Sequence, residues 1–155
     1  MHAINWSYAF TSDRVWIDCL AALILGAIHV WSYLSNRGKY PDNLADRSAA
    51  ATSLSSTITG GITAVGILIP VTLIAAQIGH PSQTGLEDIF FADVWFTFSL
   101  VFGLYGLFTV GVRGSTENIL NRRDVGIVYG LQLMTLLIGI VRLLIGIAIV
   151  FSGGG

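Results

Sequence analysis

The sequence predicts an all-α fold, an integral membrane four-helix transmembrane bundle with both termini on the non-cytoplasmic side. Three observations carry this expectation: long apolar runs, a composition poor in charge, and six of the eight basic residues gathered in alternate loops. The runs cover residues 15–35, 56–78, 89–112 and 125–151. Each meets or exceeds the ~20 residues needed to cross ~30 Å of hydrocarbon. The 155 residues are 54% hydrophobic and 11% charged with a formal net charge of -1, and the mean hydropathy is +0.73. Such a chain has no basic field for nucleic acid. Four spans use most of its length, so residues 1–155 read as one membrane domain.

The amino-terminal stretch 1–16 has no lysine or arginine before Arg14 and no small-residue cleavage site. It is therefore expected to be retained rather than cleaved as a signal peptide. Trp6, Tyr8 and Trp16 suit the headgroup zone, where an amphipathic ring keeps its polar edge wet. In the first span, ~100° per residue places Asp18, Ala22, Leu25, Gly26, His29 and Ser32 on one stripe, with Asp18 and His29 about 20° apart. His29 reads either as a packing histidine or as a proton-relay, pH-sensitive residue. His2 and His80 fall outside the spans, so no haem or metal site is expected and no cofactor is assigned. Cys19 is the single cysteine, which excludes an intrachain disulfide and reads as a small buried packing residue.

The second helix is expected to extend into the cytosol from about residue 42, because Pro41 and Asp42 suit a helix start. Ser48, Thr52, Ser55, Ser56, Thr59, Thr63, Gly66, Pro70 and Gln77 fall within about 60° of one line along it. A hydroxyl stripe has two physical uses. Small residues, here Ser56, Gly60 and Ala64 at four-residue spacing, let helices approach closely. In a symmetric ring of subunits, Thr52, Ser56, Thr59, Thr63 and Gln77 would instead line a wettable lumen, with Leu68, Ile69 and Val71 as a hydrophobic gate. Pro70 frees a backbone carbonyl and is expected to kink this helix.

In the third span Asp93, Thr97, Leu100 and Leu104 share one side, and Phe91, Trp95, Phe98, Phe102 and Tyr105 the other. The expectation is aromatics toward lipid and Asp93 toward protein. The fourth span gathers Gln132, Thr135, Gly139, Arg142 and Gly146 in a sector about 80° wide. A lone guanidinium in hydrocarbon costs from ~3 to more than ~10 kcal/mol, so Arg142 is expected to pair with acid. Asp18 and Asp93 are the carboxylates within reach, which predicts an intramembrane charge network of Asp18, Asp93 and Arg142. Its use is either architectural or in ion passage, proton transfer or gating.

Orientation follows from the loops. Arg37, Lys39 and Arg47 occupy 36–49, and Arg113, Arg122 and Arg123 occupy 113–124, whereas 79–88 holds no basic residue. Short basic loops stay in the cytoplasm, which places both of these loops on the cytoplasmic side of a cell membrane, with Arg14 alone counting against it.

No nucleophile elbow, Walker loop, zinc spacing or dinucleotide fingerprint is present, so no enzyme is expected. In length and four-span layout alone, the chain is similar to the small trimeric membrane glutathione transferases. The arginine-, asparagine- and glutamate-bearing second helix of that family is replaced here by serine and threonine, so no active-site residue carries over. The preferred expectation is a homo-oligomeric multi-pass protein forming a channel or pore. The alternatives are an accessory or scaffold subunit of a larger membrane complex, and a small membrane enzyme acting on a lipophilic substrate near Arg142 and Asp18. The expected partners are the lipid bilayer and either further copies of the chain or that larger complex, with no nucleic acid.

Overall fold

In a computed structural model of the chain, the described residues are 13–36, 43–77, 83–114, 116, 119 and 122–152. They form four helices in succession: α1 (Asp13–Asn36), α2 (Leu44–Gln77), α3 (Gln83–Arg113) and α4 (Arg123–Ser152). The fold is all-α. Three of the helices, Leu44–Gln77, Thr84–Arg113 and Arg123–Ser152, are long and apolar enough to cross a membrane, and α1 contributes the shorter apolar stretch Trp16–Ser32. Trp6, Tyr8, His2, His80, Pro41 and Asp42 lie outside the described residues.

Helix α2 starts one residue after a reciprocal cap. The Asn43 side-chain oxygen accepts from the Asp46 N–H at 2.9 Å, and the Asn43 amide donates to the Asp46 carboxylate at 2.5 Å. This satisfies an orphan donor of the first turn and puts a carboxylate at the positive helix end. From there the helix continues through Pro70 for 34 residues, about 51 Å of rise and well beyond a hydrocarbon core.

Helix α4 is the hub. It packs most extensively on α3, and α2 lies against both, while α1 packs chiefly on α4. Close approaches set the registers. Gly26 faces Met134 and His29 lies over Gly130, so α1 runs antiparallel to α4; Gly85, Gly139 and Gly106 meet Val150, Phe96 and Val128 across α3 and α4, also antiparallel. Ile58 meets Gly106 and Ala51 meets Gly114, so α2 runs antiparallel to α3.

Two apolar clusters fill the α2–α3–α4 interior. One is built on Val65, Ile89, Phe96, Leu136 and Leu143, the other on Leu54, Ile58, Val110, Ile119 and Val125. No α1 residue belongs to either, and Trp16, Leu20, Leu23, Ile24, Ile28 and Trp31 on α1 are all exposed. Cys19 is exposed as well, against the buried position expected for it, because only one stripe of α1 meets α4.

The faces of α3 also differ from expectation. Its buried stripe is Ala92, Phe96, Ser99, Gly103 and Gly106, which runs between the two sides the sequence had opposed. Trp95, Phe91 and Phe102 are half-buried, whereas Thr97, Leu104, Phe98 and Tyr105 are exposed. Small residues decide the outcome, since backbone proximity across Gly103 and Gly106 outweighs the segregation of polar from aromatic side chains.

Candidate functional site

The buried stripe of α4 holds Gln132, Thr135, Gly139, Arg142 and Gly146. Arg142 is its charged member. Its Nε donates to Asp18 Oδ2 at 2.5 Å and its Nη1 to Asp88 Oδ1 at 2.6 Å. All three side chains are buried, with residue exposures of 3%, 8% and 1% for Arg142, Asp18 and Asp88. The guanidinium thus ties α1, α3 and α4 together through charge-assisted bonds, the strong class of hydrogen bond. Asp18 and Asp88 each lie five residues from the start of their helices, ~8 Å along the axis, and Arg142 lies ~15 Å from the end of α4.

Asp93 is not part of this triad. Five residues separate it from Asp88, a turn of ~140°, so these two of the carboxylates on α3 face different neighbours. Asp88 faces α4. Asp93 faces α2, where its Oδ1 lies 2.6 Å from the Thr72 hydroxyl. The sequence places the third span from residue 89, which leaves Asp88 in a loop. The helix instead begins at Gln83, so Asp88 is already more than a turn inside it.

His29 sits toward the opposite end of α1. Its Nε2 lies 2.7 Å from the Gly126 carbonyl oxygen, and its ring meets Tyr129 edge-on at 5.9 Å. A carbonyl accepts only, so this nitrogen carries the hydrogen. Among the described residues no three His, Cys, Asp or Glu side chains group as metal ligands.

A polar layer separates the two apolar clusters. Gln132, 2% exposed, donates from Nε2 to the Ile58 carbonyl at 3.0 Å, while its Oε1 is buried without a hydrogen-bond partner. Ser99 donates to the Gln132 backbone carbonyl at 3.0 Å. The amide is wedged between Gly61 and Gly103, where an added Cβ on either would stand 2.6 Å from Nε2. Glycine is required at this close approach.

The hydroxyl stripe of α2 faces away from the bundle. Ser48, Thr52, Ser56, Thr59, Thr63, Gly66, Pro70 and Gln77 are exposed and Ser55 is half-buried, and neither Gly60 nor Gly66 has any atom within 4 Å of an added Cβ. Thr63 donates its hydroxyl to the Thr59 carbonyl at 2.9 Å. Near the start of α2 a groove of about 1100 Å³ opens between α2 and α3, bordered by Arg47, Ser48, Thr52, Ser55 and Val110. Leu68 and Ile69, expected beside the stripe as part of a gate, instead pack on the core cluster around Phe96. Their azimuths place them on the buried side of the same helix.

The described residues thus form four helices with a buried ion triad inside and a small, hydroxyl-rich helix face outside, and the three long apolar helices point to a membrane-associated protein. No protein-family model, curated protein or solved structure matches the chain.

Proposed function

We propose that the chain is a multi-pass protein of a cell membrane, crossing it four times. Both termini are then non-cytoplasmic, and the basic loops 36–49 and 113–124 are cytoplasmic. Copies of the chain assemble with the α2 hydroxyl face turned inward, around a polar conduction path. The observation that carries this reading is the outward exposure of Thr52, Ser56, Thr59 and Thr63 on a helix whose opposite face is packed on α3 and α4. A single four-helix bundle whose core is filled by side chains has no open lumen, so a conduction path requires several subunits. The apolar side chains exposed on α1 suit a perimeter against lipid, whereas small hydroxyls and glycines suit contact with protein or water.

A second reading, a scaffold subunit that docks the same face on a larger membrane complex, is favoured by one detail. Thr63 spends its hydroxyl hydrogen on its own helix, which leaves a surface suited to close packing.

Reconstitution in planar bilayers separates the two. The pore reading expects Thr59→Trp and Thr63→Trp to abolish conductance while leaving assembly intact. It also expects Thr63→Cys, in a Cys19→Ser background, to cross-link between copies on oxidation. A single-subunit particle in mild detergent, with no cross-link and no conductance, overturns it.

A further inference from the structure

Thr72 is fully buried on α2, two residues beyond Pro70. Its hydroxyl oxygen lies 2.6 Å from the Ile69 carbonyl oxygen and 2.6 Å from Asp93 Oδ1. A threonine hydroxyl owns one hydrogen, a carbonyl owns none, and an ionised carboxylate owns none. Separations this short are those of O–H···O bonds with a hydrogen between the oxygens. A hydroxyl can share its one hydrogen between two acceptors, as Thr135 does with the Leu131 and Gln132 carbonyls at 2.8 and 3.0 Å, but both contacts of Thr72 are shorter than these. A second hydrogen, supplied by the remaining group, accounts for both.

We propose that Asp93 is a proton-binding site, a neutral carboxylic acid whose O–H donates to Thr72 Oγ1 while Thr72 donates its own hydrogen to the Ile69 carbonyl. The ligand is a proton. The surroundings favour the neutral form. Residues 66–77 of α2, the stretch packed alongside, contain no ionisable side chain. On α4, Arg142 is level with Asp93 in the α3–α4 register, but its guanidinium is engaged by Asp18 of α1 and Asp88 of α3. Along α3 itself, Glu87 and Asp88 lie at least five residues back, and Thr97 donates to the Asp93 backbone carbonyl rather than to its carboxyl. An ionised carboxylate without a cation is expensive in a medium that solvates charge poorly. The carboxyl is nonetheless half-buried rather than sealed, which leaves the proton a route of exchange.

Loss of that proton changes α2. With one hydrogen left for two acceptors, Thr72 turns to the carboxylate, the stronger acceptor, and the Ile69 carbonyl beside Pro70 gives up its bond. Proton occupancy on α3 is thereby felt at the proline turn of the helix that carries the hydroxyl stripe. Such a site depends neither on a pore nor on self-association.

Infrared difference spectroscopy of the full chain in lipid vesicles near neutral pH tests it. The expected result is a carbonyl band of a protonated carboxylic acid that disappears in Asp93→Asn, shifts in Thr72→Val, and converts to carboxylate as the pH is raised. Asparagine can donate to Thr72 in the same place, which preserves the fold. A spectrum in which wild type and Asp93→Asn match in the carboxylic-acid region overturns the proposal. Should the variant fail to fold, labelling of the unmodified chain with a hydrophobic carbodiimide, which requires a protonated carboxyl, decides the question. An adduct at Asp93 that diminishes with rising pH supports the site, and its absence overturns it.

Discussion

Asp88 Oδ1 lies 2.6 Å from Arg142 Nη1, with both side chains almost completely buried. The second carboxylate on the same guanidinium comes from α1, and no other residue of α1 reaches α4 with a charge-assisted bond among the described residues. Removing the cation takes the guanidinium away from two buried carboxylates. Arg142→Met is therefore expected to destabilise the chain by ~3–5 kcal/mol, the cost of breaking a buried pair by deleting one partner. Arg142→Lys should fare little better, since one ammonium cannot reproduce the fork that holds two carboxylates from two helices. Thermal unfolding in detergent measures both, and a melting point within error of wild type for Arg142→Met would exclude a stabilising triad.

Helix α1 depends on α4 at two levels, the triad at one end and His29 on the Gly126 carbonyl at the other. His29→Phe keeps ring volume against Tyr129 but removes the donor, leaving the carbonyl without that bond. That carbonyl keeps its intrahelical partner, so the expected loss is ~0.5–1.5 kcal/mol, the net worth of one hydrogen bond. Hydrogen exchange should show it as faster opening confined to α1, with α2, α3 and the rest of α4 unaffected. Equal acceleration throughout the chain would mean that α1 is integral to the cooperative core instead of an appended helix.

The same two helices show what was legible in the sequence. Apolar runs and loop charge are summed over many residues, so the four elements and the buried stripe of α4 could be read from composition and the 3.6-residue period alone. Asp18 could also be read as a partner of Arg142, but the second partner, Asp88, could not. It depends on where α3 begins, and six extra residues of helix before Ile89 convert Asp88 from a loop charge into a buried ligand of the guanidinium. Helix ends are set by local capping, which hydropathy does not register. The inner face of α3 was missed for a related reason: Ala92, Ser99, Gly103 and Gly106 have little hydropathy of their own and are buried because they are small. The exposure of the α2 stripe was equally hidden, since periodicity shows that polar residues share a face and not which way that face points.

The cap on α2 is a local test of the helix start. Asn43→Ala removes both the acceptor for the Asp46 N–H and the donor to its carboxylate. A loss of ~0.5–2 kcal/mol is expected, and circular dichroism should show fraying of the first turns. Asn43→Asp should retain the acceptor but set two carboxylates against each other, with an intermediate effect. If Asn43→Ala melts at the wild-type temperature, the cap contributes nothing to the fold.

Adjacent glycines on α2 provide the sharpest contrast. A Cβ at Gly61 or on facing Gly103 of α3 would stand 2.6 Å from Gln132 Nε2, whereas one at neighbouring Gly60 meets nothing within 4 Å. Gly103→Ala must push the Gln132 amide off the Ile58 carbonyl or separate the helices, and overpacking of this kind typically costs ~1–3 kcal/mol. Gly60→Ala meets no such obstacle within one chain, and alanine is the better helix former by ~1 kcal/mol. Unfolding of the single chain should therefore be unchanged or slightly improved. If copies associate through the α2 face, the same methyl group falls in their contact and should weaken assembly, measured by light scattering or cross-linking yield in mild detergent. Gly60→Ala that leaves both stability and assembly at wild-type values would place the contact between copies elsewhere, and Gly103→Ala without loss of stability would contradict the wedged position of Gln132.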